Sequence, residues 1–241
     1  MTERDSRFDC LFESVAIGPV TSKNRFYQVP HCNGMGHAMP NSVAAMRGVK
    51  AEGGWGVVST EECDIHASTD VLPYPEARLW DAEDGRRMAL MVDAVHAHGA
   101  LAAVELVHNG HAVSNRYSRL PVMGVSDLPV AALEPSQACA MTRRDIADVR
   151  RWHRKAALRA RDIGFDIVYV YAGHDLTLGM HFLSRRYNRR VDEYGGSLTN
   201  RLRLTRELLE DTREAVGDRC GIAFRFAVDE LLGNEGLSCE A

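Results

Sequence analysis

The chain has 241 residues, of which 45% are hydrophobic and 26% charged, a composition that supports a sizeable core and excludes a disordered segment. Its formal net charge of -4 and pI of about 6.2 supply no basic field for a nucleic acid or an acidic membrane surface. No run reaches the ~20 consecutive apolar residues of a membrane helix, and the opening MTERDSRFD is charged where a signal peptide is apolar, so the chain is expected to be cytoplasmic.

In chain order, short β-branched runs alternate with segments of helical period, the pattern of βα units around a parallel sheet. Five strands are predicted: Phe26 to Pro30, Gly56 to Thr60, Leu101 to Val107, Ile167 to Tyr171 and Gly221 to Phe226. After Trp80, Asp81 and Asp84 place acid at a helix start, Met88, Met91, Val92 and Val95 share one face, and Gly99 follows as a stop. Thr142 and Asp145 form a capping-box pattern ahead of Ile146, Val149, His153, Ala156, Ala160 and Ile163, and Gly164 ends that helix. Ser197 caps a helix through Leu198, Leu202, Leu208 and Val216.

No G-x-G-x-x-G follows the first strand, and Gly34-Met35-Gly36 is only a fragment of one, so a dinucleotide-binding doubly wound sheet loses its main support. A (β/α)8 barrel fits better. Such a barrel takes eight strands and typically ~250 residues. Five strands fit here, so residues 1–241 are expected to form about the first five βα units of an incomplete TIM barrel. Six scattered cysteines, Cys10, Cys32, Cys63, Cys139, Cys220 and Cys239, contain no C-x-x-C pair. They suit reduced thiols, and no metal site is expected. The pairs Arg143-Arg144, Arg150-Arg151, Arg185-Arg186 and Arg189-Arg190 read as solvated faces.

Barrel enzymes build their sites where the strands end at their C-terminal side. That rule selects Pro30, His31 and Cys32 after the first strand, Glu61, Glu62 and Cys63 after the second, Glu105 and His108 from the third, Tyr171 and His174 from the fourth, and Arg225 on the fifth. Each has a plainer role: a packed thiol, a satisfied histidine, or an arginine paired with an acid on the next strand.

Four stretches carry a resemblance. Leu11-Phe12-Glu13, Ile17-Gly18 and Lys23-Asn24-Arg25-Phe26 resemble the approach to the first strand in the Old Yellow Enzyme (NADH:flavin oxidoreductase) family. Phe165 to His174 is similar to that family's fourth strand with its paired site residues. Phe182-Leu183-Ser184 and the run Tyr187 to Arg201 match its most distinctive motif almost throughout. Phe26 to Cys32 and Lys50 to Trp55 resemble the trimethylamine dehydrogenase branch.

The resemblance implies FMN bound in a TIM barrel. Arg225 would sit near the N1–C2 carbonyl edge of the ring, Glu105 would accept from N3–H, and the backbone around Pro30 and His31 would line the other edge. Cys32 matches a cysteine joined to the flavin in this branch. Relatives with non-covalent flavin also carry Cys here, and the Val-Pro-His-Cys setting favours the link. Tyr171 and His174 match the catalytic pair, and tyrosine at the first position points to amine oxidation. Glu62 stands where trimethylamine dehydrogenase has an aromatic residue, which favours a secondary or polar N-methylated amine as substrate. A [4Fe-4S] cluster is expected only in a downstream part, and a homo-oligomer is compatible. The alternative is an NAD(P)H-dependent reductase of activated alkenes, and a third reading is a non-catalytic flavin-binding barrel. The electron acceptor is not readable.

Overall fold

A computed structural model describes residues 5–71, 73, 75–131, 136–233 and 236–238; Cys239 lies outside the described residues. Five parallel strands run in order along one curled sheet: β1 (Tyr27–Gln28), β2 (Val57–Asp64), β3 (Leu101–Val107), β4 (Ile167–Ala172) and β5 (Gly221–Phe226). Each is adjacent to its predecessor in sequence order, the connectivity of a (β/α)8 barrel. The third and fifth strands match their predicted bounds. The first is shorter than Phe26 to Pro30, because Gln28 turns its side chain to the neighbouring strand: its Oε1 accepts the Ser59 N–H at 3.2 Å.

The second strand runs on past Thr60 to Asp64 through a bulge. Ser59 pairs with Ala103, but the next partners are Glu62 and Glu105, so β2 holds one extra residue. Thr60 patches the ladder, its Oγ1 accepting the Glu105 N–H at 3.2 Å.

Helices cover the outer face: α1 (Pro40–Glu52), α2 (Ala82–His96), α3 (Arg143–Asp162), α4 (Leu178–Leu183), α5 (Leu198–Arg201) and α6 (Arg203–Val216). Asp81 caps α2 by accepting from the Glu83 and Asp84 N–H groups. The capping box of α3 is present, with Thr142 and Asp145 serving each other's backbone N–H. Gly164, with φ of +102°, follows α3. The single helix expected from Ser197 is interrupted at Leu202. On either side of the break, Arg201 donates to the Leu183 and Gly196 carbonyls and Arg203 to that of Glu193.

Two apolar layers follow from strand alternation. Val58, Cys63, Val104, Leu106, Val168 and Val170 face the helices. Val57, Ala103, Ile167 and Tyr169 face the barrel interior, where Ile17 and Val20 pack against them. Those two residues belong to a hairpin, Val15–Ile17 with Val20–Ser22, that plugs the N-terminal end of the strands. The plug sits so close that a Cβ on Gly221, the first residue of β5, would lie 2.8 Å from the Ile17 carbonyl oxygen.

Gly221→Ala is therefore expected to destabilise the fold by about 1–3 kcal/mol, since a backbone oxygen cannot yield as a side chain does. Denaturant melts check this, and an unchanged midpoint would show that the hairpin is not seated there.

Candidate active site

Parallel register brings the site together at the C-terminal ends of the strands. Glu105 lies beside Tyr169, and Tyr171 beside Arg225. The Arg225 Nη1 donates to Glu105 at 3.0 Å and 3.2 Å, and its guanidinium carbon lies 5.1 Å from the centre of the Tyr171 ring. The Tyr171 hydroxyl meets His174 Nδ1 in a short hydrogen bond. His174 Nε2 lies 3.3 Å from Arg225 Nη2. Glu105, Arg225, His174 and Tyr171 thus form one connected array.

The tautomer of His174 follows from its partners. A guanidinium can only donate, so Nε2 accepts from Arg225 and Nδ1 carries the ring proton. Nδ1–H then donates to the Tyr171 oxygen. The phenol keeps its own proton for a further partner. Burial and the nearby Arg225 charge both lower the His174 pKa, which holds the ring neutral as this scheme requires. Burial, then the Glu105 charge, raises the Tyr171 pKa and keeps the phenol protonated.

The bulge decides which residue of β2 joins this array. Glu62 takes the position beside Glu105, while Cys63 pairs with Leu106 and is fully buried in the outer core. Glu61 is also withdrawn: it is 2% exposed and accepts the Asn33 N–H at 2.9 Å, tying down the loop after β1. His108 turns away too. Its Nε2 meets Ser68 Oγ at 3.0 Å, its Nδ1 accepts from Gly110, and burial lowers its pKa to about 3. Cys63 and His108 therefore belong to the packing of the fold and not to the mouth.

The loop after β1 places Pro30 in buried surroundings and leaves His31 and Cys32 exposed. The His31 ring faces Gln28 and Arg47, and its carbonyl accepts from Arg47 at 2.8 Å. Burial, Arg47 and Lys50 lower its pKa. Cys32 Sγ lies 3.7 Å from Glu76 Oε1, and the donor atoms of Cys32, Glu62 and Glu76 lie within 4.8 Å of one another. Burial, then Glu62, pushes the Glu76 carboxyl up to about 11, so it stays protonated at neutral pH. Burial, then the acidic side chains Glu76, Glu62 and Glu61, raise the Cys32 thiol to about 12.

Sequence reasoning missed Arg47, Gln28 and Glu76. Arg47 is fully buried on α1 and binds Gln28 Oε1 at 3.0 Å, so it fixes the backbone that carries His31 and Cys32. The available signal was a charge at the i+4 position between Val43 and Ala51 on an otherwise apolar helix face. Glu76, in the loop before the short strand Ala77–Arg78, carries no local signal.

Comparison with known proteins assigns the chain to one family. The sequence profile of the NADH:flavin oxidoreductase / NADH oxidase family matches residues 10–241. Dimethylamine dehydrogenase of Hyphomicrobium sp. (strain x) is 44% identical over 240 residues, 97% of this chain and 32% of that protein. The structure of histamine dehydrogenase from Rhizobium sp. 4-9 superimposes with a TM-score of 0.93 at 46% identity, covering 97% of this chain and 34% of that one. That of 6-hydroxypseudooxynicotine amine oxidase from Pseudomonas geniculata N1 gives 0.94 at 47% identity, covering 97% and 35%. The chain spans about a third of the length of these relatives.

Burial is the largest influence on Glu105 and raises its pKa from 4.5 to about 7, against the lowering effect of Arg225. A carboxyl whose folded pKa is raised binds its proton more tightly when folded. Its contribution to stability is complete below pH 4.5 and is lost as pH rises through 7. Glu105→Gln should therefore gain stability relative to the unchanged chain across that window, by on the order of 3 kcal/mol. Melts on either side of the window check it, and a pH-independent difference would refute the shifted carboxyl.

Proposed function

The chain belongs to the NADH:flavin oxidoreductase / NADH oxidase family, and on that premise we propose that it supplies part of the flavin site of an enzyme oxidising an N-methylated amine by hydride transfer to FMN. The observation that carries the proposal is the hydrogen-bonded Tyr171–His174–Arg225–Glu105 array at the strand ends. The relatives named above, dimethylamine dehydrogenase, histamine dehydrogenase and an amine oxidase, support the choice of an amine.

The donor set fits a flavin. Glu105 and Arg225 set an acceptor and a donor side by side, which complements a ring edge bearing acceptors and one donor. Glu105 would accept from the ring N–H, and Arg225 would face its carbonyl edge, where a fixed cation offsets negative charge. Pro30 and His31 would contribute backbone along the other edge. Bound FMN would supply the hydride acceptor.

The remaining residues handle the amine. Only a neutral amine releases a hydride from its α-carbon, so the site must hold nitrogen without its extra proton. Tyr171 suits this: its oxygen accepts from His174, leaving an O–H to donate and a lone pair to receive an amine N–H. Glu62, 8% exposed and beside Glu105 in register, places a carboxylate where it can accept the N–H of a secondary amine. Glu76, holding its proton against Glu62, limits the negative charge there.

The reading is tested by mixing the flavin-loaded enzyme anaerobically with dimethylamine, histamine or NADPH. Reduction by an amine and not by NADPH is expected; reduction by NADPH alone would favour the alkene reductase. Tyr171→Phe should slow reduction by the amine roughly 10- to 100-fold with the flavin spectrum nearly intact. An undiminished rate would remove the phenol from the reaction.

We further propose Cys32 as the point of flavin attachment, on the strength of its exposed thiol at the mouth. Acid precipitation should then leave yellow colour with the protein, and Cys32→Ala should release it. Free FMN from the unchanged enzyme would eliminate the link.

A further inference from the structure

His174 lies in an uncommon stretch of backbone. It and Asp175 are consecutive non-glycine residues with positive φ, +58° and +57°, a left-handed pair that persists only where surrounding contacts over-determine it. The register of β4 ends at Ala172, so the sheet does not impose this turn.

Contacts from behind the turn do. His181, on the wholly buried α4, donates from Nε2 to the Asp175 carbonyl at 3.2 Å. Burial, then His111, lowers its pKa to about 3, so the ring is neutral and Nε2 carries its one proton. Tyr187, just past α4, donates its hydroxyl to Asp175 Oδ2 at 2.6 Å. Arg186 reaches the same oxygen at 3.7 Å and stacks 4.9 Å over the Tyr187 ring. The His111 ring wedges the pair, 3.9 Å from His181 and 4.8 Å from Tyr187. Asp175 is thus gripped at its carbonyl by the buried His181 and at its carboxylate by the half-buried Tyr187.

From this we infer that Tyr187 and His181 are positioning residues for the reaction: by clamping Asp175 they hold the left-handed turn that presents the His174 ring to Tyr171 and Arg225. Neither touches the mouth. Each acts through His174, and without the clamp the turn relaxes, Nδ1 leaves the Tyr171 oxygen, and the phenol loses the donor that orients it. Tyr187 begins the long motif that runs to Arg201, and this assigns its first residue a role in the chemistry as well as in the loop.

The inference rests on the amine-oxidising reading, and its test separates the two. Reduction of the flavin-loaded enzyme by dimethylamine and by histamine is followed in the unchanged enzyme, Tyr187→Phe, His174→Ala and the double variant, with NADPH as reductant if neither amine reduces the unchanged enzyme. A lack of reduction by amines in the unchanged enzyme refutes the amine reading alone. Tyr187→Phe should lower the limiting rate about tenfold, with half-saturation moved less than about twofold and the flavin spectrum unchanged. In the His174→Ala background it should cause no further loss, because the residue through which it acts is gone. Nitrogen NMR of the imidazoles should show the His174 Nδ1–H tautomer signal lost in Tyr187→Phe. If Tyr187→Phe fails to fold, Asp175→Asn, which keeps the left-handed preference and loses the charge, enters the same cycle. An unchanged rate and tautomer, or an equal tenfold loss in both backgrounds, overturns the inference.

Discussion

A carboxylate placed where water cannot reach it must find a partner, and Glu105 finds Arg225 two strands away. This pairing constrains the sheet. The side chains meet only if β3, β4 and β5 stay parallel and in a register that sets Glu105 against Tyr169 and Arg225 against Tyr171. A slip of one residue in β3 or β5 would turn the charged side chain into the apolar layer beneath the helices. The hairpin plug serves the same end from below, filling the base of the interior with Ile17 and Val20. Burial at the base and ionic pairing at the mouth are two halves of one arrangement.

Much of this was legible because local and global signals agree. Leu101–Val107 and Gly221–Phe226 are bounded by clear breaks and rich in strand formers, and both were delimited correctly. The Thr142 and Asp145 box needs only its own four residues, so it survives any tertiary context. Tyr171, His174 and Arg225 sit at ends of strands that could be read, and the structure brings them together.

What was not legible depends on partners distant in sequence. Helix α1 went unread because its buried face carries Arg47 and Gly48, which break the apolar pattern, and because no side chain caps its start. Arg47 is tolerated there only since Gln28 and the His31 carbonyl meet it. Glu76 becomes chemically notable only beside Glu62 and Cys32. The adjacent trio Glu61, Glu62 and Cys63 offered three candidates with nothing local to rank them, since their order of facing depends on how β2 aligns with β3.

That alignment has an implication for how such a site changes. One extra residue between Ser59 and Glu62 sends Glu62 to the mouth and Cys63 into the outer core. Were the bulge to move beyond Glu62, strict alternation from Ser59 would set Glu61 opposite Glu105 and turn Glu62 towards the helices, with no side chain changed. In this strand the place of one irregularity ranks two adjacent carboxylates. The chemistry of the opening is thus written in the backbone as well as in residue types, and a comparison of residue identities alone would not read it.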